Sequence, residues 1–315
     1  MSQTISCPIC NSPSKYEFSS RDLMFNHFER YDYQCCTKCD FVFQHPLPTL
    51  EQIASFYPND YEVYEEQSRL KKVSAFRKSI LKKYYGYTHL NTSLITDLLC
   101  GIAHLFNNNH ENSFVPNGLL LDVGCGNGRY LDGMKKLGWQ VKGVEFNESA
   151  VKVCKLSDLD VHHGDIFSAN FNDNSFDVIN VSHVIEHVPN SKAFFAELAR
   201  VLKIGGTLII KTPNSKALGR VLFNTNWYAN DVPRHLYLFS EKNLNLLAQT
   251  YSLHTQQIKT RTSPKIILNS IDYVSANKSV PSKKVKWKRL LARVYVWIAK
   301  YKKQGDEIFA VFTKN

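Results

Sequence analysis

The segment that most restricts the fold of this chain is 119–131, which reads LLLDVGCGNGRYL. An apolar strand candidate leads directly into a glycine-rich turn that opens a helix, and glycine lets a ligand approach the backbone closely. The spacing is G-x-G-x-G, with Arg129 where a dinucleotide-binding loop has its third glycine, so a pyrophosphate site is disfavoured. The Gly-Lys-Ser/Thr sequence of a P-loop is missing from this turn as well.

From Leu119 onward, short apolar runs alternate with helical stretches, which is typical of a parallel α/β sheet. Helices are predicted at Arg129–Leu137 and Ser191–Leu202, and Gly205-Gly206 is expected to end the second helix. The predicted strands are Leu119–Val123, Val141–Glu145, Phe176–Ser182, Thr207–Thr212 and Glu307–Thr313.

Several segments in a fixed order carry a family resemblance. LDVGCGNGRYL, GVEFNESA, GDIF and FDVINVS resemble successive motifs of the class I S-adenosylmethionine-dependent methyltransferases, and RVLKIGGTLIIKTPN resembles the helix, turn and strand that follow them. The resemblance covers about residues 116–263 and the last strand. It implies an α/β fold with a doubly wound, seven-stranded Rossmann-like sheet, and S-adenosylmethionine as the methyl donor.

The same resemblance assigns the cofactor site residue by residue. Glu145 matches the acidic residue that accepts the two ribose hydroxyls, and a carboxylate suits two adjacent donors. Asp165 matches the carboxylate near the adenine amino group, with Ile166 packing on the ring. The strand that ends at Ser182 faces the methyl group. The full predicted set is Asp122, Gly124, Gly126, Gly128, Glu145, Asp165, Ile166 and Ser182.

The sequence His183-Val-Ile-Glu-His187 matches the H-x-x-E-H pattern of a zinc peptidase. That chemistry needs both histidines on one face of a stable helix, and Pro189 limits this segment to about one turn. We therefore exclude the peptidase interpretation. His183 and His187 remain candidates for a base or a positioning group, and the alternative is that they are partly buried and hydrogen-bonded.

The loop from Trp227 to Ser240 contains D-x-P-R-H-L-Y, which resembles a loop in bacterial methyltransferases of surface-polysaccharide clusters. Ser240 is expected to cap a helix. If the acceptor is a hydroxyl, His235 or His183 would take its proton, and no metal is needed for that step. An Asp231–Arg234 pair that braces the loop is the structural alternative.

The N-terminal cysteines form two C-x₂-C pairs, Cys7/Cys10 and Cys36/Cys39, which predict a closed and therefore structural zinc site. Asn11 and Asp40 follow the pairs, and both residue types tolerate the left-handed conformation of a metal knuckle. Cys35 could replace Cys36 at worse spacing. Free cysteines in a small core are the other interpretation.

The net charge of +11 is concentrated in two blocks. Residues 283–303 contain nine basic residues and no acid, and residues 69–83 contain seven and no acid. The remaining 23 basic residues are outnumbered by 28 acidic ones, which counts against nucleic acid as the partner. The 283–303 segment predicts a basic amphipathic helix that either packs on its own domain or contacts an anionic membrane.

We divide the chain into a zinc module (1–45), a helical linker or cap (46–115) and a methyltransferase domain (116–315), with a basic helical insert at 264–303. The N-terminus lacks the features of a signal peptide, and no apolar stretch approaches the length of a membrane span. We expect a cytoplasmic protein, with peripheral contact at the inner face of the membrane left open.

The favoured function is methyl transfer from S-adenosylmethionine to a small molecule, a sugar or a glycan or lipid-linked biosynthetic intermediate. An RNA methyltransferase is one alternative, in which the zinc module and the basic blocks hold the phosphate backbone. A non-catalytic protein that keeps the fold as a binding scaffold is the other.

Overall fold

A computed structural model of the chain describes residues 5–57, 73–105, 112–275 and 282–315. Its strands are β1 (Ser14–Arg21), β2 (Arg30–Cys36), β3 (Val42–Gln44), β4 (Leu119–Val123), β5 (Gln140–Glu145), β6 (Asp160–His163), β7 (Phe176–Ser182), β8 (Leu202–Pro213), β9 (Tyr237–Leu238), β10 (Leu253–Arg261) and β11 (Glu307–Lys314). Its helices are α1 (Leu50–Ser55), α2 (Ala75–Tyr84), α3 (Leu94–Leu105), α4 (Arg129–Lys135), α5 (Glu148–Leu156), α6 (Ser191–Val201), α7 (Leu218–Phe223), α8 (Glu241–Thr250), α9 (Pro264–Val274) and α10 (Lys286–Tyr301).

The predicted α/β fold is confirmed by a seven-stranded sheet with the strand order β10-β11-β8-β7-β4-β5-β6. Strand β5 pairs in parallel with β4 and β6, whereas β10 and β11 are antiparallel. All the strands predicted from the sequence lie in this sheet. Sequence patterning missed β6 and β10, because DVHH is short and LHTQQIKTR buries only its first residue.

The predicted end of the second helix is wrong in detail. Helix α6 ends at Val201, and β8 begins at Leu202 and continues through Gly205, so the glycines do not cap the helix. The backbone N–H groups of Asn174 and Ser175 donate to the carbonyls of Arg200 and Val201 at 3.0 and 2.8 Å. The last carbonyls of the helix are therefore satisfied before the glycines are reached.

A second, four-stranded sheet joins the N-terminus to a much later part of the chain. Its order is β1-β2-β3-β9, and Val42 and Phe43 of β3 pair with Leu238 and Tyr237 of β9. Ser240 lies two residues after β9, and its side chain accepts the N–H of Asn243 and caps α8, as predicted. The cysteine-rich segment thus shares its sheet with the 227–240 loop.

Packing divides the chain into two compact units. Unit 1 contains Met1–Tyr61, Val181–Ala199 and Leu208–Asn315, and unit 2 contains Glu62–Asn180 and Arg200–Thr207. The division at residues 45 and 115 stays a prediction from sequence. Of the basic block at 69–83, residues 69–72 lie outside the described part of the chain. None of the described helices is both long enough and apolar enough to span a bilayer.

Candidate functional site

The glycine turn of unit 2 adopts a conformation that only glycine takes easily. Gly124, Gly126 and Gly128 have φ values of 70°, 54° and 74°, all in the left-handed region. A Cβ atom on Gly128 would lie 2.5 Å from Cδ1 of Leu159 and 2.9 Å from Sγ of Cys154. The predicted turn between β4 and α4 therefore requires glycine for both its dihedral angles and its packing.

Glu145, at the end of β5, is buried and connects the glycine turn to the start of α5. Its Oε2 accepts the N–H of Gly126 at 2.8 Å, and its Oε1 accepts the N–H of Asn147 at 2.8 Å. A carboxylate has about four acceptor positions, so these bonds are compatible with further bonds to a pair of hydroxyls. Asp122, which is also buried, accepts a hydrogen bond from the Asn180 amide at 2.6 Å.

The segment after β6 contains one exposed and one buried candidate. Asp165 is exposed, and its Oδ1 accepts the N–H of Ser168 at 2.7 Å within a tight turn. Ile166 is only 1% exposed, so its side chain is covered by protein. Phe146 and Phe167, which follow Glu145 and Ile166 directly, are 79% and 45% exposed. The sequence analysis did not name these two aromatic residues, although their positions directly after Glu145 and Ile166 could have marked them as candidates.

In unit 1, the chain leaves β7 through Ser182, which is half-buried, and enters His183 with a φ of 57°. The His183 ring lies between two carboxylates, 3.3 Å from Glu186 Oε1 and 2.9 Å from Glu307 Oε2. Burial opposes a charge on this ring, but the two hydrogen bonds outweigh it and raise the pKa of His183 to about 10. The imidazole is therefore protonated at neutral pH and is not a proton acceptor.

Residues 184–189 form a turn and not a helix, which agrees with the exclusion of a zinc peptidase. Glu186 in this turn is fully buried and accepts a hydrogen bond from the Thr212 hydroxyl at 3.0 Å. Burial disfavours its charge, but His183 outweighs this effect and lowers the pKa of Glu186 to about 2. Glu186 is thus an ionised carboxylate inside unit 1.

His235 is buried beside Glu186 and has the opposite electrostatic character from His183. Its Nε2 lies 4.0 Å from Glu186 Oε1 and 3.8 Å from Asp231 Oδ2. Its Nδ1 lies 3.0 Å from the carbonyl oxygen of Ala229, which can only accept, so Nδ1 bears the proton. Burial, helped by the nearby His187, lowers the pKa of His235 to about 4. The ring is neutral at pH 7, with an unprotonated Nε2.

His187 lies against His235, with the ring centroids 4.7 Å apart in an edge-to-face arrangement. Its Nδ1 lies 3.0 Å from the carbonyl oxygen of Arg234 and 3.0 Å from the hydroxyl of Tyr57. One potential ligand atom from each of Glu186, His187 and His235 lies within 4.8 Å of the others, a set that could also hold a metal ion.

The loop that carries His235 is fixed by a buried ion-pair network. The Arg234 guanidinium contacts Asp22 at 2.7 and 3.1 Å and Asp231 at 2.7 and 3.0 Å. The Tyr33 hydroxyl on β2 donates to the carbonyl of His235 at 2.8 Å. The expected Asp231–Arg234 pair is present, but Asp22 and Tyr33 were not foreseen, because nothing in the sequence links residues so far apart.

The four predicted metal-ligand cysteines, Cys7, Cys10, Cys36 and Cys39, lie together in the N-terminal part of unit 1. Their sulfur atoms lie within 4.8 Å of one another, with separations of 3.4–3.7 Å in three of the pairs. A tetrahedral zinc with bonds of about 2.3 Å places its sulfurs about 3.8 Å apart, so the cluster fits such a site. Cys35 is outside the cluster and packs with Phe18 and Tyr33 in the sheet core.

The knuckles of this cluster have the predicted backbone conformation. Asn11 and Asp40 have φ values of 57° and 59°. The N–H of Ile9 points at Cys7 Sγ, and the N–H groups of Lys38 and Cys39 point at Cys36 Sγ, each at 3.4 Å. Such N–H···S contacts stabilise thiolate ligands, because they place positive dipole ends at the sulfur.

Known proteins that resemble this chain include methyltransferases. Residues 121–210 match a family described as "Methyltransferase domain". The chain is 30% identical over 190 residues to a ubiquinone biosynthesis O-methyltransferase of Maricaulis maris, covering 57% of this chain and 73% of that protein. It is 34% identical over 108 residues to the protein of the same name from Xanthomonas campestris, covering 32% of this chain and 45% of the relative. A solved SAM-dependent methyltransferase from Archaeoglobus fulgidus aligns at a TM-score of 0.45 and 17% identity, over 75% of this chain and 98% of that one.

Proposed function

Because the chain belongs to the S-adenosylmethionine-dependent methyltransferases, we propose that it methylates a hydroxyl group of a small molecule, with His235 as the base. The observation that carries this proposal is the neutral, buried His235, whose Nδ1–H is fixed to a carbonyl and whose Nε2 is free of a proton. The names of the relatives, which are O-methyltransferases, support oxygen as the acceptor atom.

For the cofactor, we propose that Glu145 holds the ribose hydroxyls and that Gly124, Gly126 and Gly128 line the loop around it. Asp165 would accept the adenine amino group, since its Oδ1 uses one hydrogen bond within its own turn. When it is bound, S-adenosylmethionine supplies a methyl group that its sulfonium makes electrophilic. Asp122, Ile166 and Ser182 complete the proposed set, and the exposed rings of Phe146 and Phe167 offer apolar faces for adenine.

The three candidate histidines have different proposed roles. His235 accepts the hydroxyl proton at Nε2, and the resulting imidazolium is stabilised by the ionised Glu186 and Asp231 within about 4 Å. His187 packs on the His235 ring and orients it. His183 is already protonated, so it holds Glu186 in place by charge.

The acceptor is proposed to be a sugar or a lipid-linked glycan intermediate, which rests on the resemblance of the D-x-P-R-H-L-Y loop to enzymes of surface-polysaccharide clusters. A second candidate is an O-methylation in ubiquinone biosynthesis, which the names of the relatives favour. A lipid-linked acceptor resides at a membrane, so this proposal also requires a lipid-binding surface on the enzyme.

For the cysteine cluster, we propose one structural zinc ion held by Cys7, Cys10, Cys36 and Cys39. The sulfur separations and the convergence of all four side chains support this assignment. Four thiolates leave no open coordination position, so the ion would stabilise unit 1 and take no part in methyl transfer.

The test is methyl transfer from labelled S-adenosylmethionine into an extract of the native cells, followed by mass spectrometry of the labelled product. His235→Asn keeps an N–H that reaches the Ala229 carbonyl but removes the base. We expect kcat to fall about 10²–10⁴-fold, as is typical of a lost general base. The control is His254→Asn, an exposed histidine on β10, which should change nothing.

Two results would contradict the role of His235. One is an unchanged kcat in His235→Asn. The other is loss of the wild-type activity with a chelator and its return with a divalent cation, while the zinc content stays constant. The second result would mean that Glu186, His187 and His235 hold a metal ion instead of transferring a proton.

A further inference from the structure

Helix α10 packs on its own unit through a narrow face made of two alanines and one tyrosine. Ala292, Tyr295 and Ala299 are buried and contact Ile267 and Leu268 of α9. The sequence left open whether the apolar side of this helix packs on its own domain or contacts a membrane, and the structure places most of the larger apolar side chains away from the packing face. The packing of α10 therefore leaves its bulkiest apolar residues without contacts in the interior.

Those bulky residues form a continuous exposed stripe. They recur three or four positions apart, so they lie on one side of the helix. The exposed fractions are 60% for Trp287, 61% for Leu290, 51% for Leu291, 47% for Val294, 69% for Trp297 and 81% for Tyr301. A contiguous apolar surface of this kind marks an interaction site more often than an isolated exposed side chain does.

A row of cations runs beside the stripe. Lys286, Arg289, Arg293 and Lys300 are all exposed, and at about 100° per residue they occupy the sector next to the stripe. None of these four forms an ion pair with another residue in the part of the chain that the structure describes. With no acid anywhere in 283–303, this side of α10 presents uncompensated positive charge next to indole and aliphatic groups.

We propose that the exposed face of α10 binds an anionic phospholipid bilayer, with the helix lying in the plane of the interface. The stripe would enter the boundary between headgroups and acyl chains, and tryptophan and tyrosine prefer that depth because their rings are amphipathic. The row of cations would face the lipid phosphates. Charge complementarity selects this occupant, and the identity of the methyl acceptor plays no part in the argument.

Helix α3 provides an internal comparison. It exposes an aliphatic row that includes Leu98 and Ile102, at 82% and 63%, but its sequence contains Asp97 and no lysine or arginine. Both helices thus expose apolar side chains, but only α10 has a row of cations beside them. If these cations are what attracts the anionic membrane, substitutions in α3 should have little effect on binding.

The test is co-sedimentation of the full-length protein with vesicles of phosphatidylcholine alone or of phosphatidylcholine mixed with phosphatidylglycerol, at low and high salt. We expect binding to the anionic vesicles at low salt only, since salt screens the attraction. Each basic residue near such a surface strengthens binding about five-fold, which corresponds to about 1 kcal/mol. Arg289→Gln with Arg293→Gln should therefore bind about 25-fold more weakly.

Two further variants test whether the membrane contact is made by the exposed stripe of α10 or by the exposed aliphatic row of α3. Trp287→Ser with Leu290→Ser should abolish binding, whereas Leu98→Ser with Ile102→Ser in α3 should leave it intact. Affinity for S-adenosylmethionine and the thermal unfolding curve should be the same in all of them, which shows that both units keep their fold. The proposal is overturned if the wild type ignores anionic vesicles, if only the α3 variant loses binding, or if the α10 variants merely turn a dimer into a monomer.

Discussion

Replacing Asp22 by asparagine tests whether the N-terminal sheet holds the loop that carries His235. Asp22 is buried, and its two oxygens contact the Arg234 guanidinium at 2.7 and 3.1 Å. Its Oδ1 also accepts the N–H groups of Met24 and Phe25 at 2.8 and 3.0 Å. Asparagine has only one acceptor oxygen, so it can keep the bonds that end on Oδ1, but it loses the 2.7 Å bond to Oδ2 and places an amide NH₂ against the guanidinium.

The expected loss of stability follows from what remains around Arg234. Removing one partner of a buried ion pair costs about 3–5 kcal/mol when the other charge is left uncompensated. Asp231 stays 2.7 Å from the guanidinium, so the charge keeps one partner and the lower end of that range applies. For a folding unit of about 150–250 residues, a loss of about 3 kcal/mol lowers the Tm by about 6–12 °C.

Thermal unfolding followed by circular dichroism measures this effect, and kcat is measured well below the transition. We expect a lower kcat as well, because Arg234 directly precedes His235 in the loop. Asp32→Asn is the matched control, since Asp32 is an exposed aspartate on the same sheet. Equal melting temperatures for the two variants would refute the idea that the network holds the loop.

Three other predictions concern the cofactor, the metal and pH. Glu145→Ala should bind S-adenosylmethionine at least about 100-fold more weakly by calorimetry, because two hydrogen bonds to a charged group are lost, whereas the exposed Glu148→Ala should bind normally. Elemental analysis should find about one zinc per chain in the wild type. The Cys36→Ser variant should lose this zinc, whereas the Cys35→Ser variant should retain it. A wild-type protein that contains no metal under reducing conditions would contradict the zinc site. The pKa of His183 is raised from 6.5 to about 10, so the charged His183 stabilises the fold fully below pH 6.5, and this stabilisation is lost as the pH rises to 10. Because the side chain is 49% exposed, solvent reduces the size of the effect. His183→Asn should flatten this part of the curve of Tm against pH, and an unchanged slope would argue against the charged histidine.

The sheet and the glycine turn could be predicted because their signals are local. Leu119–Val123 is apolar along its length and is followed by glycines whose positive φ values explain the residue type. Strand β10 gave no such signal, since only Leu253 in it is buried and the pairing with β11 determines its conformation. The choice of Cys36 over Cys35 also depended on tertiary structure, which turns Cys35 into the sheet core.

The catalytic candidates could be located from the sequence but not distinguished. The three candidates are all histidines in polar motifs, namely His183, His187 and His235. Their protonation states depend on contacts that the local sequence does not show. Glu307, which lies 124 residues from His183, acts together with the nearby Glu186 to make that ring a cation. The burial that keeps His235 neutral is likewise a product of packing, so the sequence alone could not show which ring is neutral and which is charged.

The shared sheet of β3 and β9 has a consequence for how the chain is made. The Tyr33 hydroxyl donates a hydrogen bond to the carbonyl of His235, which is synthesised 202 residues later. At about 5–20 residues per second, a ribosome needs roughly 10–40 s to supply that stretch. During this time β3 has an unpaired edge, which is a site for aggregation. If the zinc ion that we propose for the four cysteines binds early, it would stabilise the nascent sheet until β9 emerges from the ribosome.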